Sequence, residues 1–135
     1  MEKPRGWIDL VYTWKQFDSD ILRLENCVRS YNAAFASQPI ICIYGIPRGG
    51  LVPAVSLSNK LGIDLLCDKE AVEINKQHLK LQLLIVDDIC DTGKTLEAFS
   101  QNQTVTLFFR EGSSIIPSAS ARVAEKGFWV KFPWE

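Results

Sequence analysis

The segment LLIVDDICDTGKT (83–95) joins an apolar run to an acidic pair, a third aspartate and a glycine-containing turn. The stretch LQLLIVD (81–87) is almost continuously apolar, which predicts a strand buried on both faces. The stretch KTLEAFS (94–100) predicts a helix that begins where the turn ends. A buried strand, a tight turn and a helix in this order are typical of a parallel sheet covered by helices.

The same pattern occurs elsewhere in the chain. Further strands are predicted at PIICIYGI (39–46), IDLLC (63–67) and TVTLFF (104–109), and a helix over 51–61 with Gly62 as its stop. Beyond Arg110 the pattern weakens to a loop with a short strand, followed by the aromatic segment FWVKFPWE. Strands that alternate with helices predict an α/β fold with a parallel sheet flanked by helices.

An amphipathic helix precedes the first of these strands. Thr13 and Gln16 form the pattern of a capping box at its start. Its apolar stripe, at alternating spacings of four and three, consists of Phe17, Ile21, Leu24, Val28, Tyr31 and Phe35. This helix is predicted to pack against the core and to carry no chemistry.

Length and composition limit the possible functions. The chain has 135 residues, 47% apolar and 23% charged, with a formal net charge of -1. These values predict one soluble domain over residues 1–135, with no bulk attraction to nucleic acid or to a membrane. A bilayer span needs about 20 apolar residues and a signal peptide needs an apolar h-region, and neither pattern occurs, so we expect a cytoplasmic protein.

The four cysteines show no C-x-x-C pair, and three of them lie in apolar runs. They are Cys27, Cys42, Cys67 and Cys90. This spacing predicts buried free thiols rather than a disulfide framework or a zinc site.

Two polar turns follow predicted strands, one at 46–50 and one at 87–95. In open parallel sheets, ligands bind beyond the carboxyl ends of the strands, so both turns are expected at one site. The Gly93-Lys94-Thr95 sequence resembles a Walker A loop, but the position that requires its first glycine is Asp88. The sequence therefore argues against a P-loop nucleoside triphosphatase.

The stretch from Asp91 to Thr95 instead predicts a phosphate cradle. A glycine turn at a helix start offers backbone N–H groups to an anion, and the hydroxyls of Thr92 and Thr95 add donors. Asp87 and Asp88 would repel that phosphate, whereas they suit ribose hydroxyls and a hydrated Mg²⁺ ion. The alternative is a strand end and helix cap without a ligand.

The turn Ile46-Pro47-Arg48-Gly49-Gly50 predicts a second anion site. Its glycines allow the backbone to approach a ligand, and the Arg48 guanidinium can hold a phosphate in bidentate fashion. The alternative is an ordinary turn with a solvated arginine. Two anion sites beside an acidic pair together describe a ribose with a phosphate at one end and a pyrophosphate at the other.

The segment LLIVDDICDTGKTL resembles the phosphoribosyl pyrophosphate (PRPP) motif of type I phosphoribosyltransferases. YGIPRGGLVPAVSLSNKLGI is similar to the pyrophosphate loop and following helix of their bacterial xanthine-guanine branch, and the resemblance covers most of Thr13–Glu135. It implies a parallel sheet flanked by helices, with a small hood built from the chain ends. The bond before the residue that matches Arg48 is often cis in the family.

The resemblance also implies the residues that bind PRPP. They are Asp87, Asp88, Asp91, Thr92, Gly93, Lys94, Thr95, Pro47, Arg48 and Gly49. Asp87 and Asp88 would hold the ribose and Mg²⁺, and Asp91 would lie beside the base. Asp91 and Arg48 are the expected catalytic residues.

The end of the chain resembles the purine site of the same branch. Arg110 matches the cation that binds the purine 6-oxygen, Trp129 the stacking ring, and Val130 a backbone contact with the purine edge. This chain departs from the family at two of these positions. It has Arg110 where the family usually has a lysine, and Lys131 where an acidic residue often stands. The alternative for Trp129, Phe132 and Trp134 is a core or dimer-interface cluster.

The leading hypothesis is therefore a Mg²⁺-dependent purine phosphoribosyltransferase that acts on guanine, xanthine or hypoxanthine. The segment 68–80 is shorter than the mobile loop usual in the family, and His78 within it is expected to be a surface residue. The alternative function is a PRPP- or nucleotide-sensing regulator that has lost this loop. We expect a homodimer or homotetramer, and the sequence distinguishes neither these two states nor the three bases.

Overall fold

The computed structural model describes residues 2–76 and 82–135 and confirms the predicted α/β class. In chain order the elements are β1 (Ile8–Val11), α1 (Trp14–Ala34), β2 (Cys42–Gly45), α2 (Leu51–Leu61), β3 (Asp64–Leu65), α3 (Asp68–Lys76), β4 (Leu83–Cys90), a 3-10 helix (Thr95–Phe99), β5 (Gln103–Arg110), β6 (Ala119–Ala124) and β7 (Phe128–Lys131). The main sheet has the order β3-β2-β4-β5-β6, and every pairing in it is parallel. Within the described ranges, no helix has the length and apolar content needed to cross a bilayer.

The central strand β4 is buried on both faces of the sheet, as its apolar run predicts. Leu84 and Val86 belong to the core cluster that contains side chains of α1 and α2. Leu83 and Ile85 belong to a second cluster, which contains Leu96 of the 3-10 helix. Because successive side chains of a strand point to opposite faces, a strand between two helical layers has no polar face.

Both long helices begin and end close to their predicted limits. The Thr13 hydroxyl accepts a hydrogen bond from the Gln16 amide at 3.2 Å, and the Gln16 side chain accepts one from the Thr13 amide at 3.0 Å. Helix α2 stops at Gly62, whose φ is +67°. Four residues of the α1 stripe are buried, Tyr31 is half-buried and Phe35 is 55% exposed. The predicted burial of Phe35 is wrong, because the helix has ended there.

The acidic pair lies inside a strand, where the sequence predicted a strand end. Strand β4 continues to Cys90, since β5 is long enough to pair with it up to Ile89↔Phe108 and Cys90↔Phe109. The α-helix expected over 94–100 is instead a 3-10 helix of five residues. Asn102 donates to the Phe99 carbonyl at 2.9 Å, and β5 begins at once, so only a short, tight turn fits.

A two-stranded parallel sheet of β1 and β7 joins the chain ends and confirms the expected hood. The sequence pattern did not predict β1, whose four side chains are all exposed. The hood is anchored through Tyr12, whose hydroxyl donates to the buried Asp20 of α1 at 2.5 Å. Arg122 of β6 donates to the same carboxylate oxygen at 2.7 Å, so one buried group connects three elements.

The cysteines are all free, and two of the four are buried. Cys42 and Cys90 lie in β2 and β4, as predicted. The predicted burial of Cys27 and Cys67 is wrong: Cys27 lies on an exposed position of α1, and Cys67 follows the two-residue edge strand β3.

Candidate active site

The two polar turns meet at the carboxyl edge of the sheet, as predicted. They line one cleft of about 340 Å³, which we call the acidic cleft. Its walls are Ile46, Pro47, Gly49, Asp87, Asp88, Ile89, Cys90, Asp91, Thr92, Gly93, Thr95 and Leu96. A Cβ atom on Gly49 would lie 2.0 Å from the Asp88 carboxylate, so the close approach of the two turns depends on glycine at this position.

Asp87 and Asp88 are more enclosed than the sequence suggested. Asp87 is 8% exposed, and burial, followed by the charge of Asp88, raises its pKa to about 8. Burial also raises the pKa of Asp88. The Asp88 amide donates to Asp87 Oδ1 at 2.9 Å, and the Ile89 amide donates to Asp88 Oδ1 at 2.8 Å. Two adjacent carboxyls with so few donors favour a bound cation or ligand hydroxyls.

This donor set fits a Mg²⁺ ion. Mg²⁺ prefers oxygen ligands and keeps several water or substrate oxygens in its shell. The described part of the chain contains no group of three or more His, Cys, Asp or Glu side chains placed to hold a metal. A cation held by Asp87 and Asp88 would therefore take most of its remaining ligands from substrate and water.

The turn 91–95 has the geometry of an anion cradle. Gly93 has φ +88°, and among the described residues the amides of Thr92, Gly93 and Thr95 have no hydrogen-bond acceptor. The Lys94 amide donates to the Thr92 hydroxyl at 3.2 Å, which leaves the proton of that hydroxyl available. The side chains of Thr92, Lys94 and Thr95 are all exposed.

A second segment, 113–115, supports this turn from behind and was not identified from the sequence. The Ser114 amide donates to the Thr92 carbonyl at 2.8 Å. The Ser113 hydroxyl lies within hydrogen-bond distance of the carbonyls of Cys90, Asp91 and Arg110. The run Gly112-Ser113-Ser114 has no distinguishing pattern, so only its position in the fold reveals this contact.

Arg48 lies between two wall residues of the acidic cleft, Pro47 and Gly49, and is not itself a wall residue. The Pro47–Arg48 peptide bond is cis, as the resemblance implied. The Arg48 side chain is exposed and forms no ion pair within the described ranges. Its guanidinium therefore has no competing carboxylate partner among the described residues.

A second cleft of about 270 Å³ continues from the first, and we call it the aromatic cleft. Its walls are Asp88, Ile89, Asp91, Arg110, Trp129, Val130, Phe132 and Glu135. Asp88, Ile89 and Asp91 line both clefts. The structure thus brings Arg110, Trp129 and Val130 together, although these residues come from two separate sheets.

The aromatic residues at the chain end divide into two groups. Phe132 is buried, and its ring stacks on Trp134 at a centroid distance of 5.0 Å. Both residues belong to the main core or pack against it, in agreement with the core alternative. Trp129 is half-buried and lies outside both core clusters, so its ring is a wall of the aromatic cleft.

Arg110 is held more tightly than the sequence suggested. Its Nε donates to Asp91 Oδ1 at 2.5 Å. Its Nη1 and Nη2 donate to the Glu125 and Phe128 carbonyls at 2.8 and 3.2 Å, and its guanidinium lies 4.8 Å from the Trp7 ring centre. Three of the five N–H donors of an arginine are thus engaged, and one on each Nη remains for a ligand. Neither Trp7 nor Glu135 was expected at this site.

No protein-family model matches the chain. The xanthine-guanine phosphoribosyltransferase of Chromohalobacter salexigens is 28% identical over 140 residues, which cover 91% of this chain and 82% of that protein. A crystal structure of the purine phosphoribosyltransferase from Pyrococcus horikoshii Ot3 has 31% identity and a TM-score of 0.73, and the match covers 94% of both chains.

A third similarity concerns the fold alone. The Helicobacter pylori xanthine-guanine-hypoxanthine phosphoribosyltransferase is 23% identical, with a TM-score of 0.71. The match covers 95% of this chain and 94% of that one. The order of strands and helices around the two clefts is therefore shared at low sequence identity.

Proposed function

The chain belongs to the type I phosphoribosyltransferase family, in the branch of the bacterial xanthine-guanine enzymes, and from this premise we propose that it transfers the ribosyl 5-phosphate of PRPP to a 6-oxopurine. The observation that carries the proposal is the shared wall of the two clefts. Asp88 and Asp91 stand between a turn suited to phosphate and a cleft lined by Trp129. A nucleotide has the same order of parts: phosphate, ribose and base.

In the proposed reaction, the bond from ribose C1′ to pyrophosphate oxygen breaks and a bond from C1′ to purine N9 forms. The free amides of the 91–95 turn hold the 5-phosphate, and Asp87 with Asp88 holds the ribose hydroxyls. Arg48 offsets the charge of the departing pyrophosphate. When bound at Asp87 and Asp88, Mg²⁺ would add further charge neutralisation at the pyrophosphate.

Asp91 is the proposed acceptor of the base proton. Its Oδ1 is engaged by Arg110, whereas no described residue donates to its Oδ2. The ion pair with Arg110 orients the carboxylate and keeps one oxygen free for the purine N–H. Arg110 is thus proposed both to position Asp91 and to donate to the purine 6-oxygen.

The experiment that tests this function is pyrophosphate release from PRPP with Mg²⁺ and, separately, guanine, xanthine, hypoxanthine and adenine. We expect release that depends on a 6-oxopurine, together with formation of the matching nucleotide. Binding of PRPP without release for any base would support the regulator instead. The named relatives are transferases, and no feature of the two clefts favours the regulator.

The reaction without a base is an informative control. Helix α3 occupies most of the short segment 68–80, and His78 lies outside the described residues. Because an oxocarbenium-like state can react with water, release of pyrophosphate without purine would measure how well the site excludes solvent. A homodimer or homotetramer in the cytoplasm also remains part of the proposal.

The variant Gly93→Ala tests the phosphate cradle. A Cβ atom at this position would lie 2.6 Å from the Ile115 amide nitrogen and 2.8 Å from that of Ser114, at a φ that alanine tolerates poorly. We expect a KM for PRPP that is raised at least about tenfold and a lower Tm.

Gly62→Ala is the matched control for this variant, because Gly62 has φ +67° with no atom within 4 Å of the added Cβ. It should lower the Tm and leave the KM for PRPP unchanged. Equal KM values for the two variants would show that the 91–95 turn does not bind the phosphate of PRPP. Both quantities follow from thermal unfolding and initial rates.

A further inference from the structure

Trp7 is a half-buried residue of the N-terminal turn before β1, and the proposed reaction gives it no role. The guanidinium carbon of Arg110 lies over its ring, 4.8 Å from the ring centre. Trp7 is not among the described wall residues of either cleft. Any effect of Trp7 on a bound purine is therefore expected to pass through Arg110.

The turn that presents Trp7 is fixed on both sides of the ring. The Trp7 amide donates to the Pro4 carbonyl at 3.2 Å, and Gly6 between them has φ +86°. The Ile8 amide donates to the Gly127 carbonyl at 2.9 Å, and from there β1 pairs with β7. The indole thus has a defined position relative to the hood.

Arg110 is a cation that is only 8% exposed, so its contacts decide how its guanidinium is oriented. Three of these contacts are N–H hydrogen bonds, to Asp91 and to the Glu125 and Phe128 carbonyls. The Trp7 ring adds a contact of another kind, because the negative face of an indole attracts a cation most strongly where water is excluded. Removal of the ring would leave a space beside the guanidinium, into which the guanidinium could turn or water could enter.

We propose that Trp7 is a positioning residue for purine recognition: its ring holds the Arg110 guanidinium so that the free N–H groups of Arg110 point toward the purine 6-oxygen. This inference rests on the proposed function. A hydrogen bond weakens steeply away from linearity, so selection by a donor depends on its direction. A guanidinium that is free to turn could also donate to N1 of adenine, which would reduce the preference for a 6-oxopurine.

The variant Trp7→Leu tests the inference through kcat/KM for guanine and for adenine. Leucine keeps an apolar side chain and removes the ring face, so we expect the guanine-to-adenine ratio to fall at least about threefold, with the KM for PRPP unchanged. Trp7→Phe retains a ring face and should keep a ratio closer to that of the wild type. A merely structural role would lower the Tm and reduce kcat/KM for both bases by the same factor.

An unchanged ratio in Trp7→Leu overturns the inference, as does an equal loss in Trp7→Phe, since the ring face would then be irrelevant. Trp14→Leu is the matched control. Trp14 is 51% exposed and contacts the rings of Phe17 and Trp134, and it is not a described wall residue of either cleft. Its loss should leave the guanine-to-adenine ratio unchanged.

Combination with Arg110→Ala shows whether the effect passes through Arg110. When Trp7→Leu is added to Arg110→Ala, the ratio should not change further, because no guanidinium is left to orient. A further fall of the ratio in that background would mean that Trp7 acts on the base by another route, and would overturn the inference.

Failure of the proposed function is recognised separately, because the wild-type protein would then release no pyrophosphate with any base. Calorimetric titration of the wild type and of Trp7→Leu with guanosine and adenosine monophosphates tests the inference in that case. Preference of the wild type for the guanine nucleotide, reduced in Trp7→Leu, supports it. Equal affinities in the wild type, or an unchanged preference in the variant, contradict it.

Discussion

The double variant Asp87→Asn with Asp88→Asn is expected to release pyrophosphate at least about a thousandfold more slowly than the wild type while it keeps its fold. Both carboxylates face the acidic cleft, and their proposed roles are to hold the ribose hydroxyls and the metal. Asparagine has nearly the same shape, and its side-chain oxygen can still accept from the Asp88 and Ile89 amides. Initial rates at saturating PRPP give the effect.

The stability of this variant has its own pH dependence. The folded-state pKa of Asp87, about 8, lies above the unfolded value of about 4, so the unfolded chain releases its proton first as the pH rises. The contribution of the Asp87 carboxyl to the free energy of unfolding is therefore fully present below about pH 4 and is lost as the pH rises from about 4 to 8. At pH 8 the double variant should unfold with a free energy at least about 1 kcal/mol higher than the wild type.

The matched control is Asp18→Asn with Asp64→Asn, which removes two charges from exposed positions outside both clefts. It should retain full turnover and the wild-type pH dependence of unfolding. Unimpaired pyrophosphate release from the Asp87 and Asp88 double variant would refute the assignment of the acidic pair. Denaturant titrations at pH 5 and pH 8 supply the stability comparison.

Arg110→Ala is expected to narrow the preference for guanine over adenine by about tenfold to a hundredfold. The two free N–H groups of Arg110 can only donate, which suits a 6-oxygen and opposes the 6-amino group of adenine. Truncation also removes the partner of Asp91 and two contacts with the hood, so the overall rate and the Tm should fall as well. The ratio of kcat/KM values for the two bases isolates the selectivity from these losses.

Trp129→Ala provides the contrast. The Trp129 ring should contribute about 1 to 3 kcal/mol to base binding by stacking, and every purine presents a ring face. Loss of the ring should therefore lower kcat/KM for guanine and for adenine by a similar factor. If adenine proves to be the preferred base of the wild type, or if Arg110→Ala leaves the ratio unchanged, Arg110 does not read position 6. The proposal would then be reduced to the PRPP half of the site.

The local pattern of the chain predicted those features whose causes are local. The capping box at Thr13, the stop at Gly62 and the continuous apolar run before Asp87 each depend on a few neighbouring residues, and the structure agrees with all three. The two polar turns also follow from the sequence, because parallel strands must place them at one edge. The resemblance supplied the cis bond before Arg48 and the hood.

The tertiary structure decided what depends on partners distant in the chain. Strand β4 extends through the acidic pair because β5 pairs with it, and this pairing buries Asp87 and raises its pKa. The exposed strand β1 has no amphipathic pattern and forms only because β7 lies beside it.

The partners of Arg110 and the position of Glu135 are likewise set by how the hood lies on the main sheet. Arg110 donates to carbonyls 15 and 18 residues further along the chain, and Glu135 reaches the aromatic cleft from the end of the hood. Side-chain hydrogen bonds and desolvation act over a few ångströms in space, whatever the separation in sequence. For this reason, the residue types of the site follow from the sequence, whereas their protonation and pairing follow only from the fold.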